Sequence, residues 1–251
     1  MRTNLSNYLK GTSMSVESYD AISCADALDR FDCKIPKDAR RWLDQLNVLR
    51  NSKPVKPPFD AVAQLIAAAA DPADVDRALA EHVTAQHRAD QHGLAETLCG
   101  QRFLAAVLAD RDALHRQLAA HAEPLIEKLH YAAEIRESVS DLTLQRRTDD
   151  AHAVVAAESD AERLRQIYHV RDAWLTPRPG PQRWSTGWWE CRRWSNPWAI
   201  GAVGAHDSST WGEWCARIRA GGRLAFWTWE QATAASREHE PNMLAPIEPI
   251  R

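Results

Sequence analysis

The stretch Leu104-Ala-Ala-Val107-Leu-Ala-Asp-Arg111-Asp-Ala-Leu114-His-Arg-Gln-Leu118-Ala-Ala-His121-Ala-Glu-Pro124-Leu125 decides how this chain is read. Leu104, Val107, Arg111, Leu114, Leu118, His121 and Leu125 recur at alternating steps of 3 and 4. That is a heptad seam, with Arg111 and His121 as its polar members. Leu125, Leu129, Ala132, Ile135, Val139 and Leu142 carry an apolar stripe onward. Pro124 stands between the two runs, the only proline from residue 73 to 176. One interpretation is a single bent helix, because the seam nearly continues across the proline. The other is an antiparallel hairpin. A proline inside a helix costs about 3 kcal/mol or more, and the polar stretches 84–93 and 145–153 lie at nearly equal distances from a turn near 119–122. Folding there sets polar against polar, so the hairpin is the favoured expectation. Its arms of about 50 residues would each reach roughly 75 Å.

Working outward, Asp71-Pro72 supplies an N-cap side chain followed by proline in the first turn. Gly93 and Gly100 are expected to interrupt the first arm. Ser159-Asp-Ala-Glu162 has the form of a capping box that restarts a helix in the second. Upstream, Val16, Tyr19, Ile22, Leu28 and Phe31 form one helical stripe, and Ala39, Trp42, Leu43, Leu46 and Leu49 a second. A proline-rich linker, 51–59, leads to a short alanine-rich helix at 61–70. The expected organisation is a flexible leader (1–14), an N-terminal helical segment (15–70), a long helical hairpin or coiled coil (71–175), a small module (176–240) and an extended tail (241–251).

The small module holds most of the aromatic surface. Ten of eleven tryptophans lie within the 56 residues from Trp174 to Trp229. A segment this short buries only about 60% of its own chain surface, so some indoles must pack on something outside it. Within it, Thr210-Trp-Gly-Glu213 has the form of a capping box. Trp211, Trp214, Cys215 and Ile218 then share one helix face, Gly221-Gly222 stops the helix, and Arg223 to Trp229 alternates as a strand does. Thr228-Trp-Glu-Gln231 opens another helix. The fold class expected is therefore mainly α, with a Trp-rich α+β C-terminal module.

The net charge of −3 conceals an asymmetry: residues 71–170 sum to −7, whereas 174–229 sum to +4. The basic module is thus expected to dock on the acidic helices or on matching surfaces of a second copy. Trp and Arg dominate interface hot spots, which marks Trp184, Trp188, Trp189, Arg192, Arg193, Trp194 and Trp198 as candidate partner-binding residues. The seam itself is assigned to Leu104, Val107, Leu114, Leu118, Leu125, Leu129, Ile135, Val139 and Leu142. Protonation of His121 in that seam near pH 6 is expected to loosen it.

Other chemistry finds less support. Cys24, Cys33, Cys99, Cys191 and Cys215 are odd in number and scattered, which fits reduced thiols in a cytoplasmic setting. Cys191, His206 and Cys215 lack the paired knuckle of a structural zinc site. His206, Asp207, Ser208 and Ser209 are adjacent in one loop, whereas triads converge from separate elements. No catalytic residues, cofactor or metal are assigned. The absence of an apolar run of about 18 residues argues against a membrane span. These features point to a non-enzymatic structural or assembly protein, cytoplasmic or virion-associated, that self-associates or docks a protein partner. The arginine-rich, high-GC-like composition suits a phage or mobile-element setting. The alternative is a nucleic-acid-binding accessory factor using the basic module.

Overall fold

The computed structural model describes residues 16–54, 58, 60–68, 71–176, 191–197 and 209–243. Over these the protein is mainly helical, with α1 (Val16–Asp29), α2 (Lys37–Asn51), α3 (Ala61–Ala67), α4 (Pro72–Ala109), α5 (Arg111–Glu134), α6 (Val139–Leu144), α7 (Thr148–Trp174), α8 (Thr210–Arg219) and α9 (Trp229–Met243). None of these helices is long and apolar enough to cross a membrane. Two compact units divide the chain. The first joins the described residues through Asp29 with Ile35–Ala109, and the second joins Arg30–Lys34 with the described residues from Asp110 onward.

In the first unit, α4 starts where its sequence says it should. Pro72 is its first residue, and the Ala73 N–H donates to the Asp71 carboxylate at 2.8 Å. Gly93 and Gly100, expected as interruptions, instead lie inside its 38 residues. Gly100 has a packing role. A Cβ at that position would stand 2.6 Å from the Glu17 carbonyl oxygen and 2.9 Å from the Ser18 nitrogen. Such an approach admits only small side chains at the contact. α1 accordingly buries Ser18, Ala21, Cys24 and Ala25 together with Leu28. Val16 and Tyr19, expected in the buried stripe, are 71% and 53% exposed. α2 buries Ala39, Leu43 and Leu46 as their spacing predicts. Trp42 packs against the guanidinium groups of Arg41 and Arg102, at 5.6 and 5.0 Å from its ring centroid. On α4, the buried Glu96 carboxylate faces Lys53 Nζ at 3.7 Å and His92 Nδ1 at 3.4 Å.

In the second unit, the chain does not turn at Pro124, which lies inside α5. Leu114, Leu118, Ala122, Leu125 and Leu129 form one buried line across it. Burying a leucine contributes roughly 1.5–3 kcal/mol, so Leu125 and Leu129 beyond the proline together offset its cost. The partner of this face is α7, and the chain reverses between Ile135 and Arg147. There the Asp141 N–H donates to Ser138 Oγ at 3.1 Å, capping α6. Arg146, at φ 58°, ends it, with the Arg147 N–H on the Leu142 carbonyl at 2.9 Å. Tyr131 hydrogen-bonds Asp150 beside this reversal. Ser159 restarts nothing: it lies within α7 and donates to the Ala156 carbonyl at 2.8 Å.

The C-terminal elements follow their local signals apart from a one-residue shift of a cap and one exception. α8 is capped by Ser209, one residue before the expected Thr210, through the Gly212 N–H at 3.0 Å. It ends at Gly221, φ 96°, with the Gly222 N–H on the Arg217 carbonyl at 2.9 Å, the hydrogen-bond pattern of a Schellman stop. The Thr228–Gln231 capping box forms reciprocally: the Thr228 N–H donates to Gln231 Oε1 at 2.9 Å, and the Gln231 N–H to Thr228 Oγ1 at 3.2 Å. The exception is 223–229. Among the described residues there is no strand, only an antiparallel bridge between Trp194 and Leu224. Leu224, Ala225 and Phe226 are buried consecutively, so this segment is covered on both faces instead of alternating.

The two glycines of α4 make opposite predictions. Gly100→Ala must push α1 away and should lower stability by about 1–3 kcal/mol. Gly93 has open space around it, so Gly93→Ala should raise stability by roughly 0.5–1 kcal/mol through helix propensity. Urea unfolding midpoints of the two variants test both signs.

Candidate functional site: an arginine clamp under the tryptophan module

Along α7, Ala157, Ala161, Leu164, Tyr168, Arg171 and Leu175 recur at steps of 4 and 3, and all are buried. The line is therefore a seam in which two positions are polar. Their partners come from the C-terminal segments. Tyr168 donates its hydroxyl to the Ala225 carbonyl at 2.8 Å. Burial raises its phenol well above the ordinary tyrosine range.

Arg171 is fully buried. Its Nη1 donates to the Arg192 carbonyl at 2.8 Å and reaches the Trp227 carbonyl at 3.5 Å. Its Nε donates to Asp172 Oδ1 at 3.0 Å. The guanidinium plane lies over the rings of Tyr168 and Phe226, at 4.7 and 4.9 Å from their centroids. Arg192, 1% exposed, shares the same carboxylate at 3.2 Å and bonds Thr176 Oγ1. Burial, reinforced by the charge of Arg171, pulls the Arg192 guanidinium down to about 9. The Asp172 carboxylate thus serves two desolvated cations, Glu230 adds a further negative charge near Arg192, and carbonyl dipoles and aromatic faces contribute the rest.

Around this clamp the aromatic side chains close up. Tyr168 stacks on Phe226 with centroids 5.7 Å apart and meets Trp214 edge-on at 5.8 Å, while His115 of α5 lies 4.7 Å from Phe226. Phe226 therefore touches both α5 and α7. At the far end of α5, the Arg219 guanidinium donates to the carbonyls of Ala133 and Ile135 at 2.9 and 2.7 Å, satisfying helix-terminal acceptors. His130 Nε2 accepts the Leu224 N–H at 3.1 Å, which requires that nitrogen to be unprotonated. Arg111 and Glu230 pair at 2.7 Å across the edge. The cavity bordered by Arg111, His115, Arg192 and Glu230 measures about 10 Å³, room for no more than about one water. Chemically the arrangement is a clamp.

The sequence-assigned residues are distributed as follows. Arg192 and Trp194 are buried, and Arg193 is exposed. Trp184, Trp188, Trp189 and Trp198 lie outside the described residues, as do His206, Asp207 and Ser208. Trp214 is buried, and Trp174, Trp211, Trp227 and Trp229 are half-buried. In the seam, Val107, Leu114, Leu118, Leu125, Leu129, Ile135 and Leu142 are buried, Leu104 is half-buried, and Val139 is 39% exposed. Cys191 and Cys215 are buried, and burial pushes the Cys215 thiol above its ordinary range. Arg171, Tyr168, His115, His130 and Arg219 were not singled out by sequence reasoning. A signal existed for the first two: they occupy seam positions of α7.

Comparison with protein-family models, with curated proteins and with solved structures finds no match.

The histidines give a pH prediction. Burial pushes His115 from 6.5 down to about 4, opposed by a hydrogen bond to the backbone of Trp227. Burial also lowers His130. His115 is therefore neutral in the folded chain between about 4 and 6.5, where the unfolded chain binds its proton, and the shift of His130 has the same sign. The His115 contribution is complete above pH 6.5 and is lost as pH falls toward 4, and the His130 contribution is lost in the same direction. His130→Gln, which keeps an acceptor for the Leu224 N–H, should flatten this loss, as measured by urea unfolding across the same pH range. An unchanged slope would remove His130 from the account.

Proposed function

We propose that the protein is a non-enzymatic structural or assembly protein. Its helices set geometry, and its surfaces dock a protein partner or a second copy. The α5–α7 pair serves as a helical hairpin that carries the Trp/Arg-rich module, and the clamp keeps that module in register. The observation that carries this reading is the outer face of α4, where Leu79, Val83, Leu94 and Leu98 are about half exposed, from 47% to 58%. Apolar side chains repeated along one exposed helix face favour a helix-on-helix contact. A virion or mobile-element assembly is a setting that suits such a part.

Nucleic-acid binding by the module is the second reading, supported by the exposure of Arg193, Arg219 and Arg223. It is weakened because Arg171 and Arg192 spend their charge internally.

Chemical cross-linking and sedimentation of the full chain, with a salt titration, test the proposal. The expected result is a discrete homo-oligomer, or a stoichiometric complex with one protein, that persists at high salt. A strict monomer with no stoichiometric partner contradicts it. Binding to DNA or RNA that weakens steeply with salt would favour the second reading.

A further inference from the structure

The exposed face of α4 has an internal symmetry. Leu79, Val83, His87, Asp90, Leu94 and Leu98 follow one another at steps of 4, 4, 3, 4 and 4, a palindrome centred between residues 88 and 89. All six are exposed. At 100° per residue they form one band, on the side away from the face that buries Ala89, Glu96, Cys99, Gly100, Phe103 and Val107.

We propose that a second copy of this chain covers this face, with α4 packed antiparallel on α4 about a two-fold axis at the centre of the palindrome. The inference rests on the assembly reading and names its partner. A two-fold contact requires self-complementarity, each residue meeting on the other copy the residue that meets it. In this register Val83 of one copy meets Leu94 of the other and His87 meets Asp90, while Leu79 and Leu98 flank the contact at either end. Asp90 accepts from Gln86 of its own helix at 2.8 Å through Oδ1, and its second oxygen serves the imidazole of the other copy. Parallel pairing in register would set Asp90 against Asp90. The rows 79–83–87 and 90–94–98 each step by four, and rows of that kind interdigitate with helices crossing at about 50°. The contact is accordingly a short crossing, and the dimer is in concentration-dependent exchange with monomer.

Sedimentation velocity of the full chain over a wide concentration range tests this, with circular dichroism to verify helicity. The native chain should show a monomer–dimer equilibrium. Leu94→Glu should weaken it by at least about tenfold, and Asp90→Lys by a similar factor. Pairing His87→Glu with Asp90→Lys should restore most of the native affinity, because a two-fold register brings those positions together. If Leu94→Glu loses helicity, the charge pair alone decides. A native chain that is monomeric throughout overturns the inference, as does a dimer that both single variants leave intact. A monomer that binds another protein stoichiometrically, or a dimer formed elsewhere, overturns this inference while leaving the assembly reading standing. A monomer without any partner overturns both.

Discussion

The second unit depends on a desolvated arginine. Arg171 projects from α7 into a space walled by Tyr168 and Phe226 and bonds carbonyls at Arg192 and, more distantly, Trp227. A guanidinium can do this because it is planar, presents several donors in fixed directions and stacks on rings; a lysine ammonium has only a compact point charge. Removing one partner of such an arrangement leaves a buried charge uncompensated, at a cost of about 3–5 kcal/mol. The clamp therefore specifies a single docking of segments 191–197 and 223–229 on α7. Apolar contact alone is less discriminating, because tryptophan faces tolerate many orientations.

The legible parts of the sequence were those governed by neighbours in the chain. Asp71-Pro72 and the Thr228–Gln231 box work through hydrogen bonds spanning two or three residues, and both form. Local form was not sufficient, since the Ser159–Glu162 box lies inside α7 and caps nothing, and three further readings that failed were settled by distant residues. Pro124 has a local cost that suggests a turn, but the buried line from Leu114 to Leu129 carries the helix through it. α1 turns Tyr19 outward because Gly100, far along the chain, brings α4 within backbone contact. The alternation at 223–229 signals a strand, yet burial of both faces and a single bridge leave an extended segment.

The candidate site was legible in type and hidden in detail. The concentration of Trp and Arg in one module pointed to the region, and the opposite charges of helices and module pointed to docking. Arg192 and Asp172 do meet with those signs, but Arg111 and Glu230 meet with the signs reversed. Net charge described the segments, whereas individual geometry chose the pairs. Arg171 was indistinguishable from a solvated helix arginine until its place in the α7 seam was counted. In the first unit, the apolar spacing of α4 supports two faces, and only one is used within the unit.

Native-state hydrogen exchange tests the clamp most directly. The Ala225 amide donates to the Arg193 carbonyl at 2.8 Å and lies between the module and Tyr168. If the clamp fuses module and helices into one cooperative structure, that amide and those of Leu164 and Ile167 in α7 should exchange with the same opening free energy and the same urea dependence. Exchange of the Ala225 amide through a separate, low-energy opening, while α7 stays protected, would contradict the account.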